Sequence, residues 1–286
     1  MGGNHTQTKF ILLGITDSPC AQTPLFGLFL LIYTVDLVGN FGIMTVVLVS
    51  PSLHTPMYFF LTHFSFTDIC YSTVISPRML ADLLSEDKTI SFTGCMMQFL
   101  TFVFFGSAEC HLLAMMAYVW HVAICHPMLY VTIISRCVCW QVVASSYLFA
   151  FLSAIVYKCS EMVIFAFVTI NMVGTSVVIL LSYISIIRTM LRMCSAQSRA
   201  RAFHTCASHL MTVALLHGTA FFMYLQPPSS HRSLDKVASI IYTMVTPMLN
   251  PFIYSLRNKE MKGSLVKCMR MFFSHWQHRR VLSSGT

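Results

Sequence analysis

The stretch Leu25–Val49 reads LFGLFLLIYTVDLVGNFGIMTVVLV, and Asp36 is its only charged residue. A helix needs about 20 apolar residues, at roughly 1.5 Å each, to cross the hydrocarbon of a bilayer. A surface helix of a soluble protein would show one apolar stripe, not apolar side chains all round. The stretch is therefore read as a membrane span. Six more runs of the same kind follow, at Met57–Leu80, Gly94–Ile124, Cys137–Tyr157, Met162–Ile187, Ala202–Leu225 and Val237–Ser255. All seven are expected to be helices, because lipid offers no partner to an open backbone group. Leu256–Phe273 is amphipathic and basic, and reads as a helix lying on the inner membrane surface. The expected fold is an all-α membrane protein, a seven-transmembrane helix bundle with a short amphipathic C-terminal helix. It forms one domain over 1–286, with an outer tail at 1–24, the spans at 25–255 and an inner tail at 256–286.

Composition agrees with that reading. The 286 residues are 56% hydrophobic and only 10% charged, where a soluble domain carries about 25% charged residues. The net charge of +8 would suit nucleic acid, but no basic run interleaves with aromatics. The charges lie between and after apolar runs, as a topology signal does. With the N-terminus outside, 12 Lys and Arg fall on the inner side and 6 on the outer. The bias predicts an extracellular N-terminus and a cytoplasmic C-terminus. No cleavable signal precedes the first span, which is expected to act as an uncleaved anchor. Asn4-His5-Thr6 is a glycosylation sequon on the expected outer tail. No Cys pair has zinc spacing, so neither metal nor cofactor is expected. Cys20, Cys95 and Cys159 flank spans on the outer side and are the disulfide candidates. No enzyme motif of the H-E-x-x-H or G-x-S-x-G kind occurs.

Charges inside a span are costly and mark function by default. Asp36, Asp68 and Glu109 sit near the middle of the first three spans. Asn40 and Asn250 can join Asp68 and Glu109 in a polar cluster. Two readings stand open, a sodium ion or water network that differs between conformations, and a hydrogen-bonded structural core. Asp36 has no evident partner and reads as a defect. Pro251 lies within the last span, in Asn250-Pro251-Phe252-Ile253-Tyr254, where it removes a backbone bond and allows a bend.

Further strings run the length of the chain. They are LHTPMYFFL (Leu53–Leu61), FSFTDICYSTVISPRML (Phe64–Leu80), ISFTGCMMQ (Ile90–Gln98), ECHLLAMMAY (Glu109–Tyr118), VAICHPMLY (Val122–Tyr130), LLSYISII (Leu180–Ile187), RAFHTCASHL (Arg201–Leu210) and PMLNPFIYSLRNKEMKGSL (Pro247–Leu265). Together, in this order and spacing, they closely resemble the mammalian odorant receptors among the rhodopsin-like G-protein-coupled receptors. The resemblance implies a plasma-membrane receptor that binds a small volatile odorant in a cavity open to the outside. It also implies activation of a heterotrimeric, stimulatory G protein that raises cyclic AMP. Asn4 would carry the glycan, and Cys95 would form a disulfide to the second outer loop.

Helical spacing places Val103, Gly106, Ser107 and Cys110 on one face of the third span, Phe167 and Asn171 on one face of the fifth, and His217, Phe221 and Tyr224 on one face of the sixth. Packing between helices accounts for such faces as well as a pocket does. The resemblance turns them, with Thr243, into cavity walls: mostly apolar, with a few polar groups to orient one end of a ligand. His217 stands where the family usually carries Tyr.

Two departures from the family stand out. After Tyr118 this chain has Val119-Trp120-His121 in place of Asp-Arg-Tyr. That Arg is the family's inner switch, working with a fifth-span Tyr, here Tyr183, and with the Pro251 and Tyr254 motif. Trp has no guanidinium fork to replace it. Second, only Lys158-Cys159-Ser160-Glu161 joins the fourth and fifth spans. Four extended residues reach about 14 Å, which closes a gap of about 8–10 Å between helix axes but forms no lid. Cys159 is left as the candidate partner of Cys95, and two free thiols are the alternative. These departures define a second reading, a receptor-shaped relic that does not signal. A small channel or transporter is a third, opposed by the absence of internal repeats and of a ring of like charges.

Overall fold

The computed structural model describes residues 9–11, 18–85, 88–156, 161–225, 238–257 and 260–270. Each expected span is a helix. They are α1 (Pro19–Val49), α2 (Pro56–Leu84), α3 (Phe92–Cys125), α4 (Arg136–Val156), α5 (Glu161–Arg192), α6 (Ala196–Leu225) and α7 (238–257). An eighth helix, α8, covers 260–270.

Proline chemistry sets several ends. Pro19 and Pro56 open α1 and α2, where a missing N–H costs nothing. Ser50 precedes Pro51 and leaves the helical region at φ −101°, ψ 102°, so α1 stops there. His126 precedes Pro127 and does the same for α3. At the start of α3 the Ser91 hydroxyl accepts from the Gly94 N–H at 3.2 Å, a regular N-cap. The last span is irregular. A π-helical turn at Ile241–Val245 precedes Pro247, and the Thr246 hydroxyl donates to the Ile241 carbonyl at 3.0 Å.

Helix α3 is central and packs against α2, α4, α5 and α6, while α1–α2, α1–α7 and α6–α7 contacts close the ring. Its core residues Leu112, Leu113 and Ala117 are fully buried. Large apolar side chains project outward instead, among them Leu31 and Val38 on α1, Phe151 on α4 and Leu180 and Leu181 on α5. An exposed apolar belt of this extent needs lipid around it. Four helices are long and apolar enough to cross a membrane on their own composition. The helices α2, α6 and α7 are more polar because their buried faces carry groups such as Asp68, His209 and Asn250.

The expected C-terminal helix is present. Met261, Leu265 and Cys268 share one face of α8 and pack on the main core, while Lys262, Lys267 and Arg270 are exposed. The Tyr58 hydroxyl donates to Glu260 at 3.3 Å and ties α8 to α2.

One element departs from the all-α expectation. Lys9–Ile11 (β1) pairs antiparallel with Thr89–Ser91 (β2), and the Phe10 ring lies 5.9 Å from Phe92. Arg78 bridges to Asp82 at 3.0 Å and donates to the Thr89 carbonyl at 2.6 Å, holding the ribbon to the end of α2. Three-residue strands are too short to show alternation in a sequence.

The α1–α7 seam is close-packed at Gly39. A Cβ placed on Gly39 would lie 2.9 Å from the Pro251 ring, whereas one on Gly42 meets nothing within 4 Å. A rigid pyrrolidine cannot step aside. Gly39→Ala is expected to destabilise the bundle by about 1–3 kcal/mol through overpacking, and Gly42→Ala to leave it unchanged. Thermal unfolding of the two variants in one detergent checks this; equal melting temperatures would remove the seam from the argument.

Candidate functional site

The polar cluster forms from four helices. Asp36 and Asn40 come from α1, Asp68 and Ser72 from α2, Glu109 from α3 and Asn250 from α7, and all are buried. The Asn250 amide donates to Asp68 Oδ2 at 2.9 Å. The Asn40 amide donates to Asp36 Oδ1 at 2.7 Å and reaches the Pro247 carbonyl at 3.4 Å. That carbonyl is free because Pro251, four residues on, has no N–H to offer it. The bond that proline removes from α7 is thus replaced by an amide from α1.

Asp36 corrects the sequence reading. It is no unpartnered defect. The Ser72 hydroxyl donates to its Oδ2 and Asn40 to its Oδ1, so both oxygens are satisfied. The pairing was invisible because Ser72 lies on another helix. Glu109 is the opposite case. Neither of its oxygens meets an N–H or a hydroxyl among the described residues; its carboxyl instead faces that of Asp68 at hydrogen-bonding range, with Asp36 within electrostatic reach. Asp68 Oδ1, Asn40 Oδ1 and Asn250 Oδ1 also lack donors. Several acceptor-only oxygens gathered round adjacent carboxyls call for a compensating cation, a proton or water. Among the described residues no group of three His, Cys, Asp or Glu is arranged to hold a metal ion.

Toward the outer side, the expected cavity faces converge in part. Val103 and Gly106 on α3 are buried, and Ser107 is half-buried. The Cys110 thiol lies 3.6 Å from the Met172 sulfur, which joins α3 to α5 beside Asn171. The Asn171 side-chain oxygen, Oδ1, is buried without a donor among the described residues. The Thr175 hydroxyl and His217 Nε2 lie 3.3 Å apart and join α5 to α6. The other His217 nitrogen, Nδ1, is buried and has only the Val213 carbonyl of its own helix near it among the described residues. Phe221 is half-buried, and Thr243 is buried with its hydroxyl donating to the Ser239 carbonyl. Phe167 and Tyr224 lie on α5 and α6, but their side chains are outside the described residues, as are Asn4 and Cys159. Cys95 stands at the outer end of α3 as a half-buried thiol. The sequence reading missed Tyr71 and Tyr242. Their rings pack edge to face at 5.9 Å, and both reach Gly106.

At the inner end Val119 is buried and Trp120 half-buried. Trp120 packs on a cluster that joins α3 to α5 and α6 through Ala117, Tyr183, Ile186, Met190 and Cys206. Tyr118 is exposed at 38%, and the His121 ring lies 6.2 Å from it and 5.7 Å from His126. Tyr254 is buried and packs edge to face on Phe64 at 6.2 Å.

A third residue was given no role by the sequence reading. His209 is fully buried, with Nε2 3.0 Å from the Leu113 carbonyl and Nδ1 2.9 Å from the Tyr183 hydroxyl. A carbonyl only accepts, so Nε2 carries the proton and Nδ1 accepts from Tyr183. One neutral imidazole therefore clamps α3, α5 and α6. The string Arg201–Leu210 contained it, but a single His on a helix does not announce a partner.

Two substitutions test these networks. Asp36→Leu is expected to cost about 1–3 kcal/mol, because it leaves the Ser72 hydroxyl and the Asn40 amide only their longer bonds to backbone carbonyls. His209→Leu is expected to cost a similar amount by removing the two bonds that join α6 to the Leu113 carbonyl and the Tyr183 hydroxyl. Chemical or thermal unfolding in detergent reads both, and a neutral outcome for Asp36→Leu would restore the defect reading.

Comparison with known proteins bears on what these sites serve. Residues 39–160 match the model of the 7 transmembrane receptor (rhodopsin family), and residues 138–272 match the olfactory receptor model. Olfactory receptor 5AP2 of Mus musculus is 44% identical over 299 residues, covering 93% of this chain and 94% of that protein. Olfactory receptor 8U3 of Homo sapiens is 44% identical over 296 residues, covering 92% and 91%. Olfactory receptor-like protein COR6 of Gallus gallus is 43% identical, covering 92% and 96%. Among solved structures, squid rhodopsin superposes with a TM-score of 0.71 over 87% of this chain and 81% of its own, at 14% identity, a likeness of fold. The alignment to the mouse protein is longer, at 299 positions, than the 286 residues of this chain. That relative therefore carries chain that this protein lacks.

Proposed function

The chain belongs to the olfactory receptor family of rhodopsin-like seven-helix receptors, and from that premise we propose that it binds small, largely apolar volatile ligands within the bundle and activates a heterotrimeric G protein of the stimulatory, olfactory type. It is a multi-pass membrane protein and not an enzyme. We place it in the plasma membrane with its N-terminus outside, on the strength of the inner bias of Lys and Arg.

The observation that carries the ligand proposal is the pair of incompletely satisfied polar groups, Asn171 and His217, buried between α5 and α6. With Cys110, Met172 and the Tyr71–Tyr242 pair nearby on the neighbouring helices, the surroundings are mostly apolar. An apolar odorant with one hydroxyl or carbonyl suits both features. Val103, Gly106, Ser107, Phe167, Phe221, Tyr224 and Thr243 complete the proposed lining. A second role goes to Asp68, Glu109, Asn40 and Asn250, whose unpartnered oxygens suit a hydrated monovalent cation or a water chain that rearranges when α7 moves.

Coupling runs through the inner end. There Trp120 supplies apolar contact to the α5–α6 cluster where the family carries a guanidinium. An indole has one N–H and no charge, and so makes weaker contacts to a G protein's carbonyls than Arg does. Contact between Trp120 and the inner faces of α5 and α6 also opposes their separation. A cyclic-AMP reporter assay against a broad odorant panel tests the receptor reading. Within it, Trp120→Arg is expected to raise the maximal response by about tenfold, the worth of one charge-assisted hydrogen bond. Silence of both forms, with surface delivery verified by antibody to an N-terminal tag, would leave the non-signalling relic as the reading that stands.

A further inference from the structure

One cavity lies away from the proposed odorant-facing residues. It is a cavity of about 630 Å³ at the inner end of the bundle, where the last turn of α1, the loop after it, and the starts of α2 and α4 meet. Its walls are apolar. Val47 and Leu53 are buried behind it, and Phe59 and Trp140 form one side with ring centroids 4.9 Å apart. The His63 ring closes on both aromatic rings, at 4.8 Å from Phe59 and 5.7 Å from Trp140. Leu48 and Trp140, at 70% and 59% exposed, flank the opening. Both belong to the apolar belt, so the cavity opens sideways to lipid and not to the interior of the bundle.

The mouth has the opposite character. Arg136 and His54 line it, and Arg136 has no carboxylate partner among the described residues. No Asp or Glu occurs in residues 47–63 or 121–141, which supply the whole rim. Helix α2 begins here, and Thr55 makes no side-chain cap, so the N–H groups of its first turn add positive partial charge. An apolar slot open to the bilayer with an uncompensated cation at the headgroup level defines its occupant by charge complementarity. A sterol answers the guanidinium with one neutral hydroxyl and no negative charge. A zwitterionic lipid answers it with a headgroup that carries its own cation. An anionic glycerophospholipid places its acyl chain against Phe59 and Trp140 and its phosphate against Arg136 in a bidentate pair.

We propose that this groove is a binding site for one anionic phospholipid of the inner leaflet, seated between α1, α2 and α4 and clamped by Arg136 and Trp140. The lipid would join the ends of three helices that otherwise meet chiefly through apolar contact. The proposal needs the basic side of the chain to face the inner leaflet, but it does not depend on which odorant is bound or on whether the receptor couples.

The test uses the full chain in nanodiscs of mixed phosphatidylcholine and phosphatidylserine, with retained lipids counted by native mass spectrometry. Phosphatidylserine is expected to be retained over phosphatidylcholine by about fivefold, the contribution of one basic residue at an anionic surface. Arg136→Gln is expected to abolish that preference and Arg136→Lys to keep most of it. Lys262→Gln, which removes an equal charge from the exposed face of α8, is expected to leave it intact. Trp140→Ala is expected to lower retention of both lipids. Equal retention of the two lipids by the unaltered chain would overturn the proposal. So would a preference that survives Arg136→Gln, or displacement of the bound lipid by cholesterol. Recovery with Arg136→Lys separates a lost site from a misfolded variant.

Discussion

The Asn40 amide sits where two costs meet. In hydrocarbon, a carboxyl and a carbonyl without partners are each expensive. Asn40 answers both, donating to Asp36 at 2.7 Å and toward the Pro247 carbonyl at 3.4 Å. The second bond exists only because Pro251 cannot make its own. The same proline fills the space left by Gly39, so the α1–α7 seam is held by a donor, a missing donor and a missing side chain within one turn of α1. From that seam the ring closes. Asp36 is tied to Ser72 on α2, and Asp68 on α2 is tied to Asn250 on α7. Three helices are thus bound by polar contacts that lipid cannot replace.

This arrangement explains why the spans divide into two kinds. Helices such as α4 and α5 are apolar enough to be recognised alone. The helices α2, α6 and α7 pay for polar residues with partners on their neighbours, so their stability belongs to the bundle. The length of an apolar run is a property of one segment, and it located all seven helices, with starts as much as six residues late. Proline and the residue before it fixed the ends of α1 and α3 with no tertiary information. The β1–β2 ribbon was not legible, because pairing across some eighty residues leaves no local pattern in two three-residue strands.

The site was legible in the same uneven way. Asp68, Glu109 and Asn250 stand out because a charge or amide in a span is rare. Their neighbours could be guessed from residue type. What the sequence could not give was pairing. Asp36 looked abandoned while its partner Ser72 lay on another helix, and His209 looked ordinary while it joined Leu113 to Tyr183. Hydroxyls and imidazoles are common in these helices, and only their placement distinguishes a clamp from a solvated bystander. Gly106 shows the same limit. Spacing put it on a pocket face, but the reason for a glycine there is the nearby pair of Tyr71 and Tyr242.

The inner end of the bundle follows a different physics from its middle. Where four helices share carboxyls and amides at mid-depth, α3, α5 and α6 meet at the inner face through Trp120, Tyr183, Ile186, Met190 and Cys206. Dispersion contacts of this kind are short-ranged and fall away steeply once the surfaces part by an ångström. An ion pair yields more gradually, because Coulomb attraction decays as the inverse of distance. Trp120 therefore adds short-range packing to this end of the bundle and no long-range electrostatic attraction. The His209 clamp sits one layer above this cluster and links the same three helices by directed bonds. The polar core, the imidazole and the indole thus form successive layers from the membrane centre to the inner face, the first joining α1, α2 and α7 and the other two joining α3, α5 and α6.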